Sequence, residues 1–342
     1  MIKFGVMANS HPASAEALSR LVDEMTAEAQ QAEQYGFDSF FVTEHHQEPS
    51  GYLPSPLPLL AALAARTSTI RLGTGIAVLP LYHPVRLAED CAVVDIISKG
   101  RLILGVGLGY QEVDFAAYGL RVSDRVSLFE EGIEIVKRAW TEEKLSFAGK
   151  RYTLTNISVT PKPVQKPRPP IWIAGVGDEA MKRAGRVGDA LLADSFQLPA
   201  RLKRRVDLYR QTAESRGNRA QVVLFREGFV AKTREEAVRE YEQGVLSTHR
   251  YYWRHGSYYQ DIKKEEDLDF KRIGLDRLIL GSPQDCAERI RAWNAEIGAD
   301  YFLIRFKHPA GPPHAKVMEA LRLFGEEVIP KFRFPQGEQE DT

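Results

Sequence analysis

The sequence predicts a single (β/α)8 barrel, the α/β fold called a TIM barrel, with insertions. Short apolar runs rich in β-branched or aromatic residues alternate with longer segments whose apolar residues recur at helical spacing. The runs number eight and fall at residues 2–8, 38–44, 70–79, 101–109, 170–175, 189–195, 222–231 and 301–306. Strict alternation of strand and helix fits a barrel or a doubly wound sheet, and the count of eight favours the barrel.

The strand and helix candidates have the composition that a barrel requires. RLILGVG and PIWIAG are almost continuously apolar, as in parallel strands that are covered on both faces. Helical spacing is clear at 18–36, which ends at Gly36 as a C-cap would, and at 126–140. We therefore predict one domain over residues 1–334, followed by a disordered tail at 335–342.

Two insertions interrupt the alternation. Residues 144–169 predict a connector, with a hairpin before a proline-rich stretch that leads into the fifth strand. Residues 246–275 follow the seventh strand on the face where barrel enzymes carry lids, so we predict a lid-like or substrate-pocket insertion. A helical surface excursion or a subunit contact is the alternative. The aromatic residues that suggest a lid are Tyr251, Tyr252, Trp253, Tyr258 and Tyr259.

Composition narrows the function classes. Lys plus Arg and Asp plus Glu each number 46, and this zero net charge argues against a nucleic-acid or membrane-surface partner. Cys91 and Cys286 are the two cysteines, too few for a disulfide framework. No run approaches the ~18 apolar residues of a membrane span, and MIKFGVMANS enters a strand pattern without a targeting signal. We therefore expect a soluble cytoplasmic protein that acts on a small ligand.

Glu44, His45 and His46 follow the second predicted strand, where barrel enzymes place catalytic groups. A neutral imidazole near a reacting centre exchanges protons near neutral pH, and a neighbouring carboxylate fixes its orientation. Consecutive residues on an extended chain point in opposite directions, so these three side chains do not wrap one metal ion, and we predict no metal. In the structural alternative, one histidine caps the strand and the other packs against the following loop.

The third and fourth predicted strands contain glycines inside β-branched runs. Strand glycines often mark the close approach of a backbone or a ligand, so Thr74, Gly75 and Ile76 are predicted to lie against a flat ring. Alternatively, the glycines only relieve crowding in the barrel. GVGLGY looks superficially like a nucleotide-binding loop, but Tyr110 occupies its sixth position. We therefore interpret Gly107 and its neighbouring glycines as room for a planar ligand.

The fifth predicted strand, PIWIAG, runs into Gly175, Val176 and Gly177 and then into a helical segment. In such a turn, free backbone N–H groups and the positive end of the helix dipole hold a phosphate. The same order of strand, GxGxxA and helix occurs in dinucleotide-binding folds, a rival interpretation, although there the motif normally follows the first strand. Arg125 begins a predicted helix and either reaches the phosphate or is a solvated surface residue.

Further side chains are predicted to line the mouth of the barrel. Ser10 and His11 follow the first strand, and Arg305 closes the eighth. With Tyr252 and Trp253 of the lid-like insertion, they form the predicted substrate pocket. The aromatic groups indicate an organic molecule with apolar surface, but they do not name it.

These segments together resemble the luciferase-like flavin monooxygenase family, which includes bacterial luciferase and alkanesulfonate monooxygenase. The resemblance covers nearly the whole chain, and the order and spacing of its motifs are specific. The motifs include TEHH (43–46), LGTGIAVLPLYHPVRLAED (72–90), GRLILGVGLGY (100–110), PIWIAGVGDEAMKRAGRVGDALL (170–192) and GSPQDCAERIRAW (281–293). By this resemblance the barrel holds flavin mononucleotide (FMN) at the carboxyl ends of its strands.

The resemblance also assigns roles to residues. His45 matches the family's active-site histidine, His46 is the second choice, and Glu44 belongs to the same motif. The flavin ring is expected over residues 74–76, with a non-prolyl cis peptide at Gly75–Ile76.

The backbone of the glycine-rich turn after the fifth strand is expected to hold the phosphate. The luciferase branch carries a phosphate-binding arginine shortly after the fourth strand, and Leu108 occupies the matching position here. Phosphate binding therefore falls to that turn, with Arg125 as a helper. The cofactor-binding residues that we predict for the ring and the phosphate are Thr74, Gly75, Ile76, Gly107, Tyr110, Arg125, Ala174, Gly175, Val176 and Gly177.

The activity implied by the resemblance is that of a two-component monooxygenase. A separate flavin reductase supplies reduced FMN (FMNH₂), and O₂ is used to oxygenate a small organic substrate. Family members are commonly homodimers. One alternative is a reductase or dehydrogenase that uses NAD(P)H or the deazaflavin F420, although the F420 branch typically has an aspartate-based motif where EHH stands here, which favours FMN. The other alternative is a non-catalytic flavin-binding protein.

Overall fold

A computed structural model describes residues 1–12, 14–49, 51–255, 262 and 264–333 of the chain. The strands are β1 (Lys3–Met7), β2 (Ser39–Val42), β3 (Arg71–Thr74), β4 (Ala77–Val78), β5 (Leu102–Gly107), β6 (Leu145–Ala148), β7 (Thr153–Ile157), β8 (Ile171–Gly175), β9 (Ala190–Ala193), β10 (Gln221–Val230), β11 (Ile279–Gly281) and β12 (Tyr301–Arg305). The α-helices are α1 (Ala15–Gln34), α2 (Pro56–Ala64), α3 (Pro84–Ile97), α4 (Glu112–Ala117), α5 (Arg125–Thr141), α6 (Asp178–Val187), α7 (Pro199–Glu214), α8 (Arg234–Arg254), α9 (Phe270–Arg277), α10 (Pro283–Ile297) and α11 (His314–Glu327). Within the described ranges, no helix has both the length and the apolar character to cross a membrane.

Eight parallel strands form a closed ring. β1, β2, β3, β5, β8, β9, β10 and β12 pair in that order, and β12 pairs back with β1. Phe41 and Trp172 stack at 5.1 Å in the barrel interior, whereas Phe40 and Val42 pack outward in the larger core beneath the helices. The structure therefore confirms the predicted (β/α)8 barrel.

The strands differ from the prediction in two places. The run at 70–79 was predicted as one strand, but it is broken at Gly75–Ile76, where the peptide bond is cis, and it resumes as β4 against β5. β11 was not predicted. It extends the sheet beside the end of β10, with Ile279 opposite Gly228, and its three residues are too few to show a period.

Both predicted insertions have regular structure. The hairpin expected within 144–169 is present as the antiparallel pair β6 and β7. The first part of the aromatic segment, 246–254, lies inside α8, which agrees with the helical alternative for that part. Its buried face includes the polar residues Thr248 and His249, so the apolar residues alone do not show the helical period. Tyr258, Tyr259 and the predicted tail at 335–342 lie outside the described residues.

At the amino-terminal end of the barrel, Arg101 connects the end of α2, the segment before β3 and the end of α3 by hydrogen bonds. Its guanidinium donates to the carbonyl of Ala64, to the carbonyl and hydroxyl of Thr67, to the carbonyl of Ile70 and to that of Ser98, at 2.6–3.0 Å. The residue is only 9% exposed, so these acceptors have little access to water. Arginine is required because its planar fork reaches all of these acceptors at once.

We expect Arg101→Met to lower the free energy of unfolding by about 3–5 kcal/mol, because it leaves several buried carbonyls without donors. The matched control is Arg86→Met on α3, whose side chain is 71% exposed and pairs only with nearby helical carboxylates. This control should cost no more than about 1 kcal/mol. Urea denaturation of both variants tests the prediction, and equal losses would contradict it.

Candidate functional site

A cavity of about 370 Å³ opens at the carboxyl ends of the barrel strands. Parallel strands in a closed barrel end on one rim, so residues that are distant in sequence meet there. The cavity brings together most of the residues proposed from the sequence. Those in its wall are Glu44, His45, Gly75, Ile76, Gly107, Tyr110, Arg125, Ala174, Gly175, Val176, Gly177, Tyr252 and Arg305.

The two histidines after β2 have different surroundings. Nε2 of His46 lies 2.8 Å from Oε1 of Glu44, and the hydroxyl of Tyr82 donates to the other oxygen of Glu44 at 2.6 Å. Nδ1 of His46 lies 3.3 Å from the hydroxyl of Tyr118. Burial opposes protonation of His46, but the hydrogen bond and charge of Glu44 outweigh it and raise the pKa. His46 is thus held in a polar network and does not line the cavity.

His45 faces the cavity as a neutral imidazole. Burial, followed by the positive charge of Arg305, lowers its pKa to about 3. Its Nε2 lies 3.3 Å from the hydroxyl of Tyr252, and its ring centre lies 4.3 Å from that of Tyr52. With no carboxylate bonded to it among the described residues and a low pKa, His45 is an uncharged, weakly basic imidazole that can hydrogen-bond to a group in the cavity.

The glycines of the third and fourth barrel strands serve close packing as well as the cavity. Thr74 is buried and donates its hydroxyl to the carbonyl of Gly105 at 2.6 Å, so it lies behind the cavity wall. A Cβ on Gly105 would lie 2.0 Å from the Thr74 carbonyl oxygen, and one on Gly107 would lie 2.8 Å from the Ile76 side chain. The cis bond that we expected at Gly75–Ile76 is present, and both of its residues line the cavity.

The opposite end of the cavity has the features of a phosphate site. Helix α6 begins after Gly177, which offers no side-chain cap, and a Cβ on Gly177 would meet nothing within 4 Å. The first-turn N–H groups of a helix have no partners within the helix, and the helix dipole favours an anion there. Arg125 of α5 lines the same cavity. The acidic residues of the first turn are paired, Asp178 with Arg204 and Glu179 with Lys182, each at 2.7 Å.

A second cavity of about 380 Å³ shares Tyr252 and Arg305 with the first. His11 lines this second cavity. Ser10 is fully buried, and its hydroxyl accepts a hydrogen bond from the backbone behind both cavities. Trp253 packs against a small apolar cluster and is not in the wall of either cavity within the described ranges. The structure therefore does not bring Ser10 and Trp253 to the predicted pocket.

Several polar groups of the site were not proposed from the sequence, and two of them are buried carboxylates. Asp114 of α4 lines the first cavity, its Oδ1 has no hydrogen-bond partner among the described residues, and burial raises its pKa. Glu227 is buried beneath Arg305, and its Oε2 lies 2.5 Å from Nε2 of His249. Burial alone would raise the pKa of Glu227, but His249 outweighs it and the pKa falls to about 2. A charge inside the apolar run VVLFREGFV was the available signal for Glu227.

Comparison with known proteins defines the family. The model of the luciferase-like monooxygenase family matches residues 2–301, so the chain belongs to this family. The monooxygenase RslO1 from Streptomyces bottropensis superimposes with a TM-score of 0.87 and 25% identity, over 97% of this chain and 100% of that one. The F420-dependent tetrahydromethanopterin reductase of Methanopyrus kandleri has the same fold, with a TM-score of 0.75 and 20% identity over 97% and 99% of the two chains.

Relatives in sequence include two kinds of oxidoreductase. The oxygenase component of a flavin-dependent trigonelline monooxygenase from Acinetobacter baylyi is 25% identical over 92% of this chain and 90% of that protein. An F420-dependent glucose-6-phosphate dehydrogenase from Kineococcus radiotolerans is 32% identical over 61% of this chain and 58% of that protein. The chain spans little more than half the length of several curated relatives. It covers 52% of an uncharacterized protein of Sinorhizobium fredii.

We expect Gly177→Leu to weaken FMN binding at least tenfold while the free energy of unfolding changes by less than about 1 kcal/mol. A Cβ at this position meets nothing within 4 Å, and the rest of the added side chain is expected to enter the predicted phosphate site. Gly274→Ala in α9, where a Cβ makes only ordinary contacts, is the control: it should leave FMN affinity unchanged and raise the free energy of unfolding by no more than about 1 kcal/mol, because alanine favours the helix. Fluorescence titration and thermal melting measure the two effects. Unchanged FMN affinity in Gly177→Leu would place the phosphate elsewhere.

The pKa values of the two adjacent histidines should lie on opposite sides of the ordinary value for histidine. Because the pKa of His45 is about 3, its imidazole should stay neutral from pH 8 down to pH 5. The raised pKa of His46 should keep that ring protonated to a higher pH than usual. The ring C–H signals in NMR spectra, assigned with His45→Gln and His46→Gln, measure both. A titration midpoint for His45 above pH 5 would contradict this assignment.

Proposed function

We propose that this protein is the oxygenase component of a two-component, FMN-dependent monooxygenase. It would receive FMNH₂ from a separate flavin reductase and use O₂ to oxygenate a small organic substrate. The neutral His45 in the cavity wall carries the proposal, because it places an uncharged imidazole, with no carboxylate bonded to it among the described residues, where it can hydrogen-bond to a reacting group. Similarity to the trigonelline oxygenase component over nine-tenths of each chain supports it.

The residues present fit a flavin that carries a phosphate. Gly75 and Ile76 line the same cavity as His45 and would lie against the ring, and Gly177 with the start of α6 and Arg125 would hold the phosphate. When bound, reduced flavin supplies the electrons that activate O₂. The protein binds and orients the ring, excludes water and controls protons.

Proton control falls to a short chain of side chains. Nε2 of His45 can accept a proton, and the hydroxyl of Tyr252 lies 3.3 Å from that atom. Burial raises the pKa of Tyr252 well above its usual range, so its hydroxyl stays protonated and donates. Glu44 and His46 act as positioning residues, since they hold the segment after β2 through their mutual hydrogen bond.

F420-dependent hydride transfer is the second candidate function. It is favoured by the F420-dependent glucose-6-phosphate dehydrogenases among the relatives, one of which is 32% identical over 215 residues. Titration of the purified protein with FMN, FMNH₂ without oxygen, F420 and NADPH separates the candidates. FMNH₂ binding with oxygen uptake supports the monooxygenase, tight F420 binding without oxygen uptake supports the dehydrogenase, and flavin binding without turnover of any substrate supports a binding protein.

We include a homodimer in the proposal. Helix α3 exposes the apolar side chains of Val93, Ile96 and Ile97, which are 45%, 39% and 40% exposed. Apolar groups clustered on one exposed helix suit a subunit interface.

Replacement of His45 by Asn should reduce oxygenation roughly 10²–10⁴-fold, the usual contribution of a general acid or base. FMNH₂ affinity should change less than about threefold, because the phosphate and ring walls are intact. The assay couples the protein to a flavin reductase and follows incorporation of ¹⁸O from O₂ across a panel of small organic compounds. His83→Asn on the exposed amino-terminal end of α3 is the matched control. Equal product formation by the two variants would reject the role of His45.

A further inference from the structure

Arg305 presents a buried guanidinium with few partners. Its side chain is 8% exposed at the end of β12, and its Nε has no hydrogen-bond partner among the described residues. The carboxylate that faces it is that of Glu227, whose Oε1 lies 3.7 Å from Nη1 of Arg305, beyond hydrogen-bond distance. A guanidinium has five N–H donors, and leaving buried donors unsatisfied is costly.

Glu227 is already committed to another partner. Its second oxygen, Oε2, lies 2.5 Å from Nε2 of His249, so the carboxylate cannot turn to bind Arg305 with both oxygens. The guanidinium lies over the ring of Phe225, 4.8 Å from its centre. Arg305 therefore has the charge of Glu227 beside it but receives no close hydrogen bond from that carboxylate.

Arg305 also occupies a particular place between the two cavities. Arg305 and Tyr252 line both cavities, so they are part of the wall that the two cavities share. The second cavity adds aromatic and apolar surface from His11, Tyr52 and Tyr251. Flat aromatic walls and one buried cation complement a planar molecule that carries an anionic oxygen group.

We propose that Arg305 binds the carboxylate of a small aromatic organic acid, and that such acids are the substrate class of this enzyme. The carboxylate site is inferred from Arg305 itself, whereas its role in binding a substrate rests on the monooxygenase function proposed above. A guanidinium binds a carboxylate through two parallel N–H···O bonds, and at Arg305 the terminal nitrogens, which Glu227 does not reach at hydrogen-bond distance, would make them.

The position of Arg305 links this site to the proposed chemistry. Tyr252 lies in the same wall and reaches His45, its hydroxyl 3.3 Å from Nε2, so an acid held at Arg305 would extend along Tyr252 toward the imidazole. The charge of Arg305 is one cause of the low pKa of His45. A bound carboxylate would offset that charge and make His45 a better proton acceptor when the acid is present.

Benzoate and benzamide test the proposal, because they share a shape and differ in charge. Calorimetric titration of the wild-type protein should show at least tenfold tighter binding of benzoate than of benzamide at pH 7. Arg305→Gln should bring the two affinities within threefold of each other while benzamide still binds, which shows that the cavity has kept its shape. Arg305→Lys keeps the charge and should retain part of the preference. Equal wild-type affinities, or a preference that survives in Arg305→Gln, would overturn the proposal.

A second arm separates this proposal from the proposed function. FMN affinity is measured in the same proteins, with Arg125→Gln as the control that should weaken FMN binding and leave the preference for benzoate unchanged. A preference for benzoate without FMNH₂ binding would retain the carboxylate site and reject the monooxygenase. Oxygenase activity that is confined to uncharged compounds, with no preference for benzoate, would retain the monooxygenase and reject Arg305 as its substrate site.

Discussion

Backbone pairing between β1 and β12 joins the first and last barrel strands, and the remaining structure depends on it. Val6 lies opposite Ile304 in this pair and opposite Phe40 in the next, so the ladder continues around the ring without an edge. Closure satisfies the backbone hydrogen-bonding groups of both strands and directs all eight carboxyl ends to one rim. The segment after β2 and the end of β12 therefore reach the same cavity, although they lie at opposite ends of the chain.

The arrangement of acidic groups on this rim determines which basic groups face the cavity without a close partner. Glu44 is occupied by His46 and Tyr82, and Glu227 is occupied by His249. The acidic residues that begin α6 are likewise paired with basic residues of α6 and α7. His45, which burial keeps neutral, therefore has no carboxylate bonded to it among the described residues, Arg305 receives no close hydrogen bond from Glu227, and the acidic residues at the start of α6 are neutralised. This distribution of charge suits the site that we propose for a phosphate-bearing ring and an organic molecule.

The sequence predicted the barrel because buried parallel strands are short, apolar and separated by helices of regular period. It predicted most residues of the rim because they follow those strands directly. The sequence did not predict α8 or β11 clearly. α8 buries the polar residues Thr248 and His249, so its apolar residues do not show the helical period. β11 is too short to show a period at all. The pairing of Glu227 with His249 was beyond sequence reasoning, since only the fold brings residues on β10 and α8 together.

The two histidines after β2 owe their different characters to a single residue of spacing. Glu44 binds the imidazole two positions away, and the one between them faces the cavity. Glu44 itself lines the cavity beside His45, so its hydrogen bond to His46, and not an alternation of sides, distinguishes the two rings. If Glu44 were bonded to His45 instead, the imidazole in the cavity wall would have a raised pKa in place of a lowered one and would hold its proton to a higher pH. The order of residues in this segment, more than its composition, thus determines whether the imidazole in the cavity wall has a lowered or a raised pKa.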